Sequence, residues 1–369
     1  MKQPAWNWLL RALREPATMV ALDNDAWDLV VRQAVAAGLL ARLGAVARNA
    51  GVEKDLPLRV WRHIQAALMM AEQQQRAVRW ELTELSRSLA ALEGPVLLLK
   101  GAAYAAADLA PGQGRLFGDI DLMVPKAQID QAEAALMLDG WAIGHQDNYD
   151  QRYYRQWMHE LPPMTHLRRR TVLDVHHSIL PTTARIQTQP ALIIARARPL
   201  PSFPRFSIPD PLDLVLHSAT HLFHEGEWQH GLRDLVDLHA LLAQFGAQPG
   251  FWDDLLARGE ALNLGRPLFY GLRYTERLLQ APIPQWVMDG CPGRPSRRAA
   301  AAMDVLFLPA FATAHASCRG SLSGFAAFAL FVRSHWLRMP VHLLAPHLAR
   351  KFWQGQVERI FPRAQPEQA

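Results

Sequence analysis

Apolar residues between Asp25 and Leu92 recur every three or four positions. Trp27, Val30, Val31, Ala34 and Val35 make one such stripe, the spacing of helices with a buried face. Val60 to Leu92 contains no Gly or Pro and is rich in Ala, Gln and Leu, which predicts one long helix ending at Gly94-Pro95. The pattern then changes. Val96 to Leu99 is a short unbroken apolar run, fit for a strand buried on both faces. Ala102 to Leu109 favours helix, and Pro111-Gly112-Gln113-Gly114 breaks it. Ile120 to Val124 predicts a second strand stopped by Pro125, and Lys126 to Leu138 an amphipathic helix ending at Gly140. Residues 141–143, 152–156, 164–167 and 171–177 predict further strands. Beyond Pro181 the pattern is helical again, at 210–224, 230–244, 251–261, 266–280, 297–309 and 322–346, the last broken at Pro340. No internal repeat is visible. The expected organisation is α+β: a helical region over 1–93, a mixed-sheet core with flanking helices over 94–185, and a second helical region over 186–369.

Composition narrows this picture. Of 369 residues half are apolar, enough for a real core, and a fifth are charged, which argues against wholesale disorder. Lys plus Arg number 39 against 34 Asp plus Glu. A net charge of +5 suits a polyanionic small ligand and is weak support for a nucleic-acid partner. Cys291 and Cys318 lack metal-ligand spacing, so a reduced cytoplasmic protein is expected. Residues 1–19 hold no uninterrupted apolar core of a signal peptide. The apolar stretch from Leu322 to Leu348 is interrupted by Arg333, His335, Arg338 and Pro340, and no transmembrane segment is expected. Within it, 325–346 is expected to pack against the helical region, with contact to a membrane surface as the alternative.

The chemistry concentrates in PVLLLKGAAYAAADLAPGQGRLFGDIDLMV, residues 95–124. Two carboxylates two residues apart on a strand share a face, so Asp119 and Asp121 project together while Ile120 and Leu122 face the core. Mg²⁺ takes one or two carboxylates plus phosphate oxygens and water. Two such ions about 3.5–4 Å apart activate an attacking hydroxyl and steady a leaving pyrophosphate. Asp174, in TVLDVHHSI, is the best third acid, and it shares its face with His176; Glu160 is the fallback. Lys100-Gly101 sits at a strand-to-helix turn, where glycine allows close backbone approach to phosphate and lysine adds a charge. Arg115 precedes the paired acids and is suited to bidentate phosphate binding, or to an ion pair with Asp119 or Asp121.

This order of Lys-Gly, helix, Arg, Asp-x-Asp and a third strand acid resembles the DNA polymerase β-like nucleotidyltransferase superfamily. More narrowly, LLLKGAA, GDIDLMV, LDVHHSI and HSATHLFHEGEWQHGLRDLVDLHALL are similar to an uncharacterised bacterial nucleotidyltransferase family often found near exopolysaccharide and exosortase genes. The resemblance covers about 25–245. It implies the superfamily's mixed sheet with flanking helices, and an NTP and Mg²⁺ or Mn²⁺ as substrate and cofactor. It also implies metal binding by Asp119, Asp121 and Asp174, a phosphate turn at Gly101 helped by Lys100 and Arg115, and an acceptor it does not define. Ala102 departs from the small hydroxyl or glycine usual after Gly101, and the gap from Gly101 to Asp119 is longer than in minimal members. A catalytically inactive nucleotide-binding module, or a scaffold with a protein partner in a polysaccharide or secretion system, is the other reading.

Several features admit plainer roles. His217, His221 and His224 share one helical face, suited to packing or to Zn²⁺ or Fe. Arg233, Asp234 and Asp237 lie on GLRDLVDLHALL, where salt bridges are expected, with contact from Asp234 to the sheet or a base as the alternative. Tyr149 to Trp157 is expected to be a half-buried strand, with base stacking as the alternative.

Overall fold

The computed structural model describes residues 7–144, 153–224, 228–312, 315–346 and 350. The architecture is α+β. The chain opens with α1 (Asn7–Arg14), α2 (Asn24–Ala36), α3 (Leu40–Asn49) and the long α4 (Leu58–Ser88). Asp23 caps α2 by accepting from the Ala26 N–H at 2.8 Å. Helix α4 buries Ile64, Leu68, Ala71, Val78, Leu82 and Leu85, the single stripe expected of its spacing.

The sheet follows with β1 (Val96–Leu98), α5 (Lys100–Ala106), β2 (Ile120–Met123), α6 (Ile129–Leu138), β3 (Trp141–Ile143), β4 (Met164–His166), β5 (Val172–His176), α7 (Pro190–Ile194), β6 (Arg198–Pro199) and β7 (Phe206–Ile208). Among the described residues it is one seven-stranded mixed sheet in the order β3-β4-β5-β2-β1-β7-β6. Every residue of β1 and β2 is buried, as the unbroken apolar run of β1 requires, and in β2 this includes the Asp121 carboxylate. β1 is antiparallel to β2 and parallel to β7, and β2 runs parallel to β5.

Two segments differ from expectation. β6 and β7 lie in a stretch read as helical, because two- and three-residue strands are too short to show a period. Residue 152 of the strand expected over 152–156 lies outside the described residues, as do 149–151. Tyr153–Trp157 is a single π-helical turn, not a strand. Arg155 explains the difference: its guanidinium grips the Glu133 carboxylate with bonds of 2.9 and 2.6 Å and ties the segment to α6 instead of to a neighbouring strand.

The rest is helical: α8 (Pro211–His224), α9 (Gly231–Phe245), α10 (Phe251–Ala261), α11 (Gly265–Leu279), α12 (Gln285–Gly290), α13 (Arg297–Phe311) and α14 (Ser323–Arg338). Helix α8 is buried almost throughout and packs against α9, α10 and α11, with α5 on its sheet side. One continuous apolar cluster runs from Leu9 to Leu330. Arg42 of α3 braces this body. It donates to the Ala110 carbonyl at 2.8 Å and to the Pro111 carbonyl, and pairs with Asp237 of α9 at 3.1 Å.

Helix α14 ends before Pro340, as expected. It buries Ala326, Leu330 and Ser334, but Phe325, Phe328, Phe331, Val332 and Trp336 stay exposed, so the expected burial holds for one face only. Among the described residues no single helix is long and apolar enough to cross a membrane.

Candidate functional site

Parallel pairing of β2 with β5 builds the site. In that register Asp121 lies directly opposite Asp174, and Asp119 stands just before β2. One oxygen from each of Asp119, Asp121 and Asp174 lies within 4.8 Å of the others. The three acids expected from the sequence therefore meet. Like charges directly opposite on a sheet repel, so each carboxyl depends on what surrounds it.

Asp121 is 3% exposed and doubly held: Lys100 Nζ lies 3.0 Å and His176 Nε2 3.1 Å from its Oδ1. Burial pushes this carboxyl up, but Lys100 and His176 together outweigh burial and keep it well below the usual range. Asp174 has only the nearby charge of His176 to lower it, and that is outweighed. Burial first, and then the charge of Asp121, push it up to about 7. Its Oδ1 is buried without a hydrogen-bond partner among the described residues. Asp119 is raised too, by loss of water and then by Asp121.

Lys100 reaches Asp121 through a strained bend. It sits at φ +42, a left-handed conformation that costs a residue with a side chain about 1 kcal/mol or more. That bend turns β1 into α5. Gly101 follows, and a Cβ there would lie 3.1 Å from Phe117 Cδ1 and 3.4 Å from Arg115 Nε, so the bare backbone lets both pack close. Helix α5 has only seven residues and is buried past Lys100, so the cations, more than a helix dipole, carry the positive potential here.

Arg115 pairs with neither Asp119 nor Asp121. Its guanidinium bonds Asp237 of α9, lies 3.9 Å from Asp234, and sits 5.8 Å over the Tyr104 ring. Gly114 makes this placement possible: at φ +63, a Cβ there would stand 2.5 Å from the Ala41 carbonyl oxygen. Asp234 pairs with Arg233 at 2.9 Å, the salt-bridge role expected of it.

Glu160, the fallback acid, lies one step behind the cluster. Its Oε2 is 3.2 Å from His176 Nδ1, so Glu160, His176 and Asp121 form a chain. Burial lowers the His176 pKa, yet the bond to Asp121 and the Glu160 charge outweigh it and leave it raised. His159, Glu160 and His176 also lie close enough to hold a metal. His176 already spans two carboxylates, and that favours a hydrogen-bonded support over a ligand. The His217, His221 and His224 face does not gather into a metal-capable group among the described residues. His217 is buried beside Lys100, and burial first pushes it down to about 3.

These groups surround a cleft of about 400 Å³. Six lining carboxylates (Asp119, Asp121, Glu160, Asp174, Asp234 and Asp237) face four cations (Lys100, Arg115, Arg233 and Arg338). Their balance is negative, so the cleft suits a divalent cation before it suits a bare triphosphate. Together with the orphaned Asp174 oxygen, this makes the residues fit a hard divalent cation. Phe117 and Arg338 were not anticipated. Arg338 arrives from the end of α14 across more than 160 residues, and no local pattern marks it.

Residues 23–280 match the family described as uncharacterised nucleotidyltransferase. No curated protein matches the sequence. The matched span takes in the three acids, the Lys100-Gly101 turn, Arg115 and the supporting helices α8 and α9, and covers most of the chain, which therefore belongs to the uncharacterised nucleotidyltransferase family.

Proposed function

We propose that the protein transfers a nucleoside monophosphate from an NTP to a hydroxyl or phosphate oxygen of an acceptor, in the manner of polymerase β-like enzymes. The supporting observation is the meeting of Asp119, Asp121 and Asp174 within 4.8 Å, with one Asp174 oxygen buried and unpartnered. These three residues would hold Mg²⁺ or Mn²⁺, which when bound neutralises phosphate charge and lowers the pKa of a coordinated hydroxyl.

The chain's own groups do the rest. Lys100, Arg115 and Arg233 attract and orient the triphosphate around Gly101. The acceptor oxygen forms a bond to the α-phosphorus. The bond from that phosphorus to the oxygen bridging to the β-phosphate breaks, and pyrophosphate leaves with its electron pair. Asp174, facing Asp121 across the two strands, would take the proton of a hydroxyl acceptor and pass it to solvent. The Glu160–His176 chain fixes the Asp121 carboxylate. Catalysis comes from positioning and charge, since little covalent chemistry is asked of the protein.

Incubation with each labelled NTP, Mg²⁺ or Mn²⁺ and cell extract tests this. Label should pass to an acceptor with release of pyrophosphate, and Asp119→Ala with Asp121→Ala should abolish it in a folded protein. Unchanged turnover in that double variant would falsify the assignment. One observation favours a second reading, a nucleotide-binding module without catalysis: Lys100 and Arg115 are both engaged in internal ion pairs. Nucleotide that binds with Mg²⁺ but is never cleaved would favour that reading.

A further inference from the structure

The carboxylate cleft shares a wall with a second cavity. Phe117, Gly118 and Asp119 line both. The second cavity, about 310 Å³, is otherwise walled by helix α4, with Gln74 and Trp80, and by the β4–β5 turn, with Arg170 and Thr171. Its chemistry differs from that of the cleft. Trp80 is 53% exposed beside the cavity, with the Arg169 guanidinium 5.9 Å over its ring and the rest of the indole in water. The Arg170 side chain makes no hydrogen bond or ion pair among the described residues. Its neighbour Arg169 is committed to Glu81 at 2.8 Å.

The turn that presents Arg170 is strained and braced. Arg170 sits at φ +61, where a residue with a side chain costs about 1 kcal/mol or more and glycine costs little. The Arg168 and Arg169 N–H groups donate to His166 Nδ1 at 3.2 and 3.1 Å, and the Arg170 N–H donates to the His166 carbonyl at 2.9 Å. A rigid turn thus delivers an uncommitted guanidinium to the cavity. Apart from the shared Asp119, the carboxylate lining it is Glu81, which Arg169 and Thr171 already satisfy. The uncommitted charge is positive. Gln74 accepts from the Phe117 N–H at 2.9 Å through Oε1, which leaves its amide NH₂ as a donor.

We propose that this cavity is the acceptor subsite and that the acceptor is a phosphorylated ring compound. The inference rests on the transferase reading above. A group transfer needs two substrates meeting at one phosphorus, and the two cavities meet at Asp119. The acceptor ring lies against the Trp80 indole, Gln74 donates to a ring substituent, and the Arg170 guanidinium holds the acceptor's phosphate. The acceptor's own oxygen then forms the bond to the α-phosphorus of the NTP as pyrophosphate departs. A sugar phosphate and a nucleotide end share this chemistry.

The experiment is equilibrium binding to the full chain, without NTP or metal, of glucose 1-phosphate and of AMP. Glucose, adenosine and inorganic phosphate serve as single-feature controls. One phosphorylated ring should bind about tenfold or more tightly than its ring or phosphate alone, and which one it is separates the two sources. Trp80→Ala and Arg170→Gln should each weaken that binding about five- to tenfold. Arg170→Gly relieves the backbone while removing the charge, so it should weaken binding equally in a protein at least as stable. Affinity unchanged in these variants, or no greater for a phosphorylated ring than for phosphate, overturns the subsite. Mg²⁺-dependent NTP turnover is read separately. Turnover without probe binding sinks the subsite alone, whereas probe binding with the expected variant losses but no turnover sinks the transferase reading and leaves a phosphorylated-ring site.

Discussion

Replacing Asp174 with Asn should stabilise the protein in the absence of divalent cations and weaken it in their presence. The reason is the cost of three carboxylates in one cleft. Asp174 is pushed up to about 7, by burial and then by Asp121, from an ordinary value of about 3.9. Its proton is therefore held more tightly in the folded state than in the unfolded one. Below about pH 4 the group is protonated in both states and costs nothing. Between about pH 4 and pH 7 the folded state binds more protons, so stability falls as pH rises. Above pH 7 the cost is complete. The full difference corresponds to about 4 kcal/mol as a ceiling, and water entering a partly open cleft brings the expected loss to about 1–2 kcal/mol. Denaturation by urea, with a chelator present, at pH 4 and pH 8 reads this directly. Asp174→Asn should exceed the parent by about that amount at pH 8 and match it at pH 4. Adding Mg²⁺ at a hundred times its dissociation constant should stabilise the parent by about 2.7 kcal/mol and the variant far less, reversing their order. Parallel pH dependence of the two proteins, or an undiminished Mg²⁺ effect in the variant, would refute the reasoning.

Asp237→Asn should cost about 3–5 kcal/mol in denaturant unfolding, because Arg42 and Arg115 would both lose a buried counter-charge; parent-like stability would show that the pairs matter little. Gly114→Ala should cost about 2 kcal/mol or more, since its Cβ would stand 2.5 Å from the Ala41 carbonyl oxygen at φ +63, and a loss under about 0.5 kcal/mol would contradict the close approach. Lys100→Met removes the main charge that depresses Asp121. It should destabilise by about 2 kcal/mol at pH 8, with the difference from the parent shrinking as pH falls through the carboxylate range, because a depressed pKa lends stability only above it. A pH-independent difference would point to packing instead.

What the sequence determined by itself was local. The period of apolar residues marked the long helix, expected over 60–92 and found at Leu58–Ser88, the short buried strands on either side of Lys100-Gly101, and the helices from 210 onward, because each signal needs only a few neighbouring residues. The two-residue spacing of Asp119 and Asp121 was enough to place them together, since alternation along a strand is a property of the backbone. Tertiary structure decided the partners. Only the parallel register of β2 on β5 sets Asp174 beside Asp121, while Glu160 falls behind His176. Arg115 turned from the nearby acids to Asp237, more than 120 residues away, because a guanidinium buried under α9 must satisfy its charge where the fold offers one. β6 and β7 became strands only because β1 presented an edge to pair with, and Arg338 reached the cleft only because α14 ends there. Such choices depend on which distant segments the collapsed core brings together, and no window of sequence contains that information.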